Sequence, residues 1–210
     1  MWTFRRRPWR FDDGGKNTAI YKTTDGGETW KKIMKGLPES NMARPGIHIA
    51  QSNPNIVYLM TEFEGGGTAF ISNDKGENWE MVNDDPNINF RPFYYSDLRV
   101  DPKNENRIYS IFTYVHVSED GGNSFSELMP AYNVSNGVHP DHHAWWIHPD
   151  DPNYMIDGND GGLNITRDRG KTWHFAQNIP VGQFYHIAVD NDIPYNIYGG
   201  MQDNGSWAGP

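Results

Sequence analysis

The sequence predicts an all-β chain of four-stranded antiparallel blades, and three observations carry that expectation. An octapeptide of the form [Ser/Thr]-x-Asp-x-Gly-x-[Thr/Ser/Asn]-[Trp/Phe] occurs four times, as TTDGGETW, SNDKGENW, SEDGGNSF and TRDRGKTW. Its aspartates, Asp25, Asp74, Asp120 and Asp168, stand 49, 46 and 48 residues apart. A second pattern runs in step with the first: a turn rich in Asp, Asn and Pro leads into an apolar strand, as in SNPNIVYLM, KNENRIYSI, DDPNYMIDG and DIPYNIYGG. The third observation is alternation. Ile47 and Ile49, Leu98 and Val100, Trp145 and Ile147, and Ile187 and Val189 each place apolar side chains on one face of a short strand. No long segment has helical periodicity.

Each unit then divides into four strands. Strand A is GIHIAQ, DLRVD, AWWIH or HIAVD. A tight turn of Asp, Asn and Pro residues leads to strand B, such as IVYLMTE. Strand C, as in TAFIS, runs into the octapeptide, and strand D, as in NWEMV, leaves it. Four strands repeated every 40 to 50 residues mark the blade of a β-propeller. The expected blades are residues 1–36 (partial), 44–84, 95–130, 142–178 and 184–210 (partial). The first unit opens in what reads as strand B and the last stops after strand B, so a partial propeller is expected.

The octapeptide has the residue types of a ligand loop, but its recurrence in every unit argues for a structural hairpin. The Asp and the hydroxyl two residues before it can hold turn amides, the Gly suits a positive φ, and the aromatic can plug the hairpin into the blade. An EF-hand calcium loop needs further alternating oxygen ligands, which DGGETW lacks. Asp25, Trp30, Asp74, Trp79, Asp120, Phe125, Asp168 and Trp173 are therefore read as structural, with Trp30, Trp79 and Trp173 expected to be buried in equivalent hairpins.

Composition narrows the function. The chain has 210 residues, enough for a sizeable core, with 14% aromatic residues and eight Trp. A net charge of −9 argues against general nucleic-acid binding. The exception is the basic stretch with Arg5, Arg6, Arg7 and Arg10, read as strand B of the first blade with a polar tip. Cysteine is absent, which excludes disulfides and thiolate metal sites. No apolar run reaches the length of a membrane helix, and MWTFRRRPW lacks the apolar core of a signal peptide.

The four octapeptides resemble Asp-boxes, or BNR repeats, which occur in sialidases, family 74 glycoside hydrolases and the sortilin (VPS10) propellers. HPDHHAWWIHPDDPNYMIDGNDGGLNITRDRGKTW and QFYHIAVDNDIPYNIYGGMQDNGSWAGP resemble large bacterial BNR-repeat proteins of the glycosyl-hydrolase-like or sortilin-like kind. The resemblance implies a secreted, periplasmic or surface protein whose targeting segment lies outside this chain. It implies two ligand classes: a polysaccharide that is bound or cleaved, or a peptide or protein bound without catalysis. If there is catalysis, the resemblance implies a glycoside hydrolase. The expected set of a sialidase is missing: FRRRP only echoes its Arg-bearing element, and no arginine triad with a Tyr/Glu pair stands out.

Blade geometry sorts the loops. In a four-stranded meander the A–B and C–D turns share one end, and the B–C and D–A loops share the other. The octapeptides occupy the first end, so a ligand is expected at the second. The loops NDDPNINFRPFYYSD, MPAYNVSNGVHPDHH, QNIPVGQFYH, RFDDGGKN, EFEGGG, DGNDGG and QDNGSW lie there. They nominate Arg91, Tyr94, Tyr95, His139, His142, Asn159, Gln183, Tyr185 and Gln202 as a ligand-binding rim. Asp141, Asp160 and Asp203 are the candidate catalytic carboxylates, with Asp157 and His143 nearby. Aromatic rings beside Asp, Asn, Gln and Arg suit sugars, which offer an apolar face and hydroxyls. HPDHHAWWIH has metal-compatible residue types, but His142 and His143 are neighbours on a strand and point to opposite faces. No metal and no cofactor are expected. A hydrogen-bonded rim and a direct role in ligand binding or acid–base work stay open for this stretch.

Overall fold

The computed structural model describes residues 1–64, 68–129 and 138–210. Residues 65–67 of EFEGGG and 130–137 of MPAYNVSNGVHPDHH lie outside the described residues. Strand follows strand throughout, and the one helical piece among the described residues is a 3-10 turn at Pro86–Ile88.

A first unit contains a hairpin of β1 (Phe4–Arg7) and β2 (Arg10–Asp13) and a short pair, β3 (Tyr21–Lys22) with β4 (Lys31–Lys32). The second sheet is β5 (Gly46–Ile49), β6 (Val57–Met60), β7 (Ala69–Ser72) and β8 (Glu80–Asn83). The third is β9 (Asp97–Asp101), β10 (Asn104–Ile111), β11 (Val115–Ser118) and β12 (Ser126–Glu127). The fourth is β13 (His142–Ile147), β14 (Met155–Asn159), β15 (Gly162–Thr166) and β16 (His174–Phe175). A fifth sheet holds β17 (Phe184–Val189), β18 (Ile197–Met201) and β19 (Ser206–Gly209). Sheets two to four are antiparallel meanders in chain order, and the array does not close. The architecture is part of a β-propeller.

Burial explains the stacking. Apolar residues of successive sheets meet face to face in three clusters, which Leu98 and Val100 join but the exposed Ile47, Ile49, Ile187 and Val189 do not. Ile20, Ile33, Leu59 and Phe70 pack between the first and second sheets. Tyr58, Met60, Leu98 and Ile108 pack between the second and third. Tyr109, Val115, Trp145 and Met155 pack between the third and fourth. Each flat sheet has two faces to cover, so only a neighbour on both sides removes its apolar surface from water.

The octapeptide hairpins are built alike. In the second, Ser72 Oγ donates to Asp74 Oδ1 at 2.8 Å and accepts from the amide of Gly76 at 2.8 Å. Asp74 in turn accepts from the Asn78 amide at 2.8 Å and from its side chain at 2.6 Å. The same pattern recurs around Asp25, Asp120 and Asp168. The glycine has two reasons to be there. Gly76, Gly122 and Gly170 have φ of 87°, 94° and 88°. A Cβ on each would also press on Ile33, Val82 or Leu128 of the preceding sheet, at 2.7, 3.1 and 3.1 Å.

Two expectations are corrected. Trp79 is 5% exposed, but Trp173 is only half-buried and Trp30 is 60% exposed. The reason is the direction of docking. Trp79 and Trp173 reach back onto the sheet before their own, into the clusters with Ile33 and with Val115. No sheet among the described residues lies before the first, so Trp30 has nothing to enter. The basic stretch is also not a blade strand. Met1 exchanges backbone hydrogen bonds with Ala19 at 2.8 and 3.0 Å, which makes residues 1–3 the partner of the following strand. The β1–β2 hairpin then projects from the end opposite the octapeptides.

The two ends of the blades are distinguishable by hydrogen bonds. The A–B turns meet the octapeptides: the amides of Lys75, Gly121 and Arg169 donate to the carbonyls of Asn55, Asn106 and Asn153 at 2.8, 2.9 and 3.1 Å. At the other end the amide of Asp160 donates to the Asp141 carbonyl at 3.3 Å.

Candidate ligand-binding rim

Strand β13 begins at the rim, and its register sets the site. His142 stands opposite Asn159 of β14, with an irregularity between His142 and Ala144. His142 is buried and its Nδ1 lies 2.8 Å from Oδ1 of the fully buried Asp157. The second oxygen of Asp157 accepts from Asn159 Nδ2 at 2.8 Å. Asn159 Oδ1 accepts from the amides of Gly161 and Gly162 at 2.9 and 3.1 Å. This chain of bonds anchors the β14–β15 turn that carries Asp160.

Above that anchor sit the polar groups of the rim. His143 Nε2 lies 3.1 Å from Asp160 Oδ1. Burial pushes the Asp160 carboxyl above its ordinary value of 3.8; His143 opposes the shift, while Asp141 and a hydrogen bond with Asp203 add to it. Tyr95 donates its hydroxyl to Asp141 and lies 2.5 Å from Thr113 Oγ1. Burial and Asp141 push the Tyr95 phenol up to about 12.

Arg91, Asp141 and Asp203 have φ of 64°, 64° and 57°. Outside the octapeptide turns, they are the non-glycine residues in the left-handed region among the described residues. Such conformations cost about 1 to 3 kcal/mol each and gather where structure serves function.

A cleft of about 1230 Å³ opens between the fourth and fifth sheets. Tyr94, Asn159, Asp160, Gln183, Gln202 and Asp203 line it together with Phe175, Phe184, Asn204 and Trp207. Loop hydrogen bonds bridge the two sheets: Asn204 Nδ2 donates to the Asp160 carbonyl at 2.8 Å, and His139 Nε2 lies 3.1 Å from the Asp203 carbonyl. The Gln202 amide donates to the Gln183 carbonyl at 3.0 Å.

The nominated residues thus do not all meet. Tyr94, Asn159, Asp160, Gln183, Gln202 and Asp203 meet in the cleft. Arg91 is exposed beside it, with its guanidinium 5.4 Å from the Tyr94 ring centre. Tyr95 and His142 lie beneath the rim, 4% and 2% exposed, so their part is support and not contact. Asp141 is turned toward Tyr95, and Tyr185 is exposed on β17 outside the cleft lining. Sequence reasoning passed over Phe175, Phe184 and Trp207. Their signal was a large apolar residue flanking a nominated loop. Among the described residues, no group of three or more His, Cys, Asp or Glu side chains is arranged to hold a metal ion. No helix of the described residues is long and apolar enough to cross a membrane.

The four octapeptide hairpins and the stacked meanders define a β-propeller of the BNR/Asp-box type. The BNR/Asp-box repeat family matches residues 21–32. The chain is 23% identical over 189 residues to vacuolar protein sorting/targeting protein 10 of Clavispora lusitaniae, covering 86% of this chain and 12% of that protein. Among solved structures, an ancestral GH74 enzyme shares the fold with a TM-score of 0.55 at 16% identity, covering 93% of this chain and 29% of that one. The GH74 enzyme of Niastella koreensis matches with a TM-score of 0.51 at 18% identity, covering 76% and 26%. The chain therefore spans less than a third of each of these relatives.

Proposed function

We propose that the cleft between the fourth and fifth sheets binds a polysaccharide, as part of a secreted or surface protein. One observation carries the reading: polar side chains of Asn159, Asp160, Gln183, Gln202 and Asp203 line the same open cleft as Tyr94, Phe184 and Trp207. Sugar hydroxyls take the polar groups, and the ring faces take the aromatics. An open cleft with one chain of hydrogen-bonding groups suits a polymer that passes through. The GH74 fold likeness agrees with this reading without assigning an activity, because one fold hosts many functions.

Asp160 favours a second reading, glycoside hydrolysis. Its carboxyl lies 3.1 Å from His143, and burial pushes it above its ordinary value, which is the direction a general acid needs. Asp203 and Asp141 are the carboxylates close enough to influence it.

The test is a glycan array beside a hydrolysis screen on plant and microbial polysaccharides, with Gln202→Ala and Asp160→Asn as variants. Binding that both variants weaken supports the cleft. Turnover lost in Asp160→Asn while binding persists supports hydrolysis. A chain that captures peptides and no glycan overturns both readings.

A further inference from the structure

The β1–β2 hairpin carries a charge pattern opposite to that of the chain around it. The molecule bears a formal net charge of −9, yet Arg5, Arg6, Arg7 and Arg10 crowd into this one hairpin. Its register pairs Phe4 with Asp13, Arg5 with Asp12, Arg6 with Phe11, and Arg7 with Arg10. Opposed residues share a face and successive residues alternate. One face therefore presents Arg5, Arg7 and Arg10 around Asp12. The other presents Phe4, Arg6, Phe11 and Asp13. Asp12 contacts Arg10 and lies 3.9 Å from Arg7, so one carboxylate serves two guanidinium groups, and among the described residues no ion pair reaches Arg5 or Arg6. Arg5, Arg6 and Arg10 are exposed, as is Trp9 at the tip.

The aromatic face of the hairpin continues into the rim. Trp2 stacks on Phe4 at 4.4 Å, Phe4 on Phe11 at 6.0 Å, and Phe11 meets Phe93 at 5.4 Å. The Arg91 guanidinium lies 6.0 Å from the Phe93 ring and 5.4 Å from that of Tyr94. Tyr94 lines the cleft and sits 5.8 Å from His143, the partner of Asp160. Rings therefore lead from the hairpin to the cleft, with Arg6 on their face and Arg91 beside them, while Arg5 and Arg10 lie on the reverse face of the same ribbon.

We infer that the hairpin and the Arg91–Tyr94 loop form an arm that binds an acidic polysaccharide, with its charged units on the arm and its hydroxyls in the cleft. The inference rests on the polysaccharide reading of the cleft and names the class of glycan. Guanidinium forks match carboxylate or sulfate oxygens, and the rings stack on the apolar faces of the sugars. Asp160 and Asp203 line the cleft and disfavour anions there, so charge is read on the arm. A duplex nucleic acid, with one charge per about 1.7 Å, meets too few cations here to outweigh the charge of the rest of the chain.

The test compares partly methyl-esterified polygalacturonate with the fully esterified polymer, on the whole chain, by affinity electrophoresis and calorimetry. Dextran sulfate against dextran separates sulfate from carboxylate as the preferred anion. The acidic polymer is expected to bind about tenfold tighter at low salt, and the advantage is expected to fade as salt shortens the screening length. That salt titration uses the unaltered protein, so it stands whether or not a variant folds. Replacing Arg5, Arg6 and Arg10, the exposed arginines of the hairpin, together by Gln is expected to cost the acidic polymers about tenfold and to leave the neutral ones unchanged. The matching Lys variant is expected to keep most of the affinity. Equal binding of charged and neutral polymers, or a Gln variant that loses nothing, overturns the arm while the cleft reading stands. Failure to bind any glycan overturns both. Single-stranded DNA bound as tightly as polygalacturonate overturns the arm as a glycan site.

Discussion

The indole Nε1 of Trp79 donates to the carbonyl oxygen of Ile33, 3.1 Å away and 46 residues earlier in the chain. The Trp79 amide also donates to the Lys35 carbonyl at 2.9 Å. One residue thus bonds its hairpin to the preceding sheet through both backbone and side chain. Trp79→Ala is expected to cost about 3 to 5 kcal/mol in urea unfolding, as for a large aromatic removed from a core. Trp30→Ala is expected to cost about 0.5 kcal/mol or less, because its ring is largely in water. Equal losses at the two positions would refute the backward docking.

The box carboxylates make stability sensitive to acid. Hydrogen bonds from Asn78 and Ser72 hold Asp74 at about 2, and those from Thr172 and Thr166 hold Asp168 at about 2. Asp25 and Asp120 are lowered by equivalent bonds. A carboxylate lowered in the fold contributes stability above its unfolded value of 3.8, and loses it as pH falls through the folded value. The melting temperature should therefore drop as pH falls from about 4 to about 2. Asp74→Ala should lower it at neutral pH, flatten that acid limb, and leave glycan affinity unchanged. Affinity lost with unchanged melting would assign the box to the ligand.

Tyr95→Phe removes the hydroxyl that meets Asp141 and Thr113 while keeping the buried ring. The expected cost is about 1 to 3 kcal/mol, since a hydrogen bond to a charged group is lost. The free Asp141 should also loosen the loop, which hydrogen exchange at the amides of Asp141 and Asp160 would report. Unchanged exchange with lower stability would confine Tyr95 to packing.

Asp160 should titrate above 3.8 in a carbon-detected NMR titration. The sign follows from burial of its charged form. A raised carboxyl group opposes folding above its folded value, and that penalty lifts as pH falls through it. Asp160→Asn should remove this step from the pH dependence of stability and of glycan binding. A normal titration at this residue would discount it as a proton donor.

The blades were legible because their signals are local and repeated. The spacing of Asp25, Asp74, Asp120 and Asp168 needs no knowledge of contacts, and the alternation at Leu98 and Val100 needs only the pleat. The state of Trp30 was not legible, since an identical motif is buried or bare according to what stands before it. The rim was half legible. Period two says that His142 and His143 take opposite sides, while Tyr94 and Tyr95 stand in a turn that no period describes. It does not say which histidine faces the core, because the left-handed Asp141 resets the chain direction just upstream. The β1–β2 hairpin hid for another reason: RRRPWR lacks the Asn-Gly or Asp-Gly pair that announces a tight hairpin.

The backward docking of the hairpins gives the structure an order in time. Ile33 is synthesised before Trp79, Val82 before Gly122, and Leu128 before Gly170. A chain emerging from the ribosome meets each socket before it makes the plug. Every newly made sheet can fasten at once to one already formed, without waiting for residues still to come. The same order makes a nascent chain vulnerable at a single moving front, the outer face of its newest sheet.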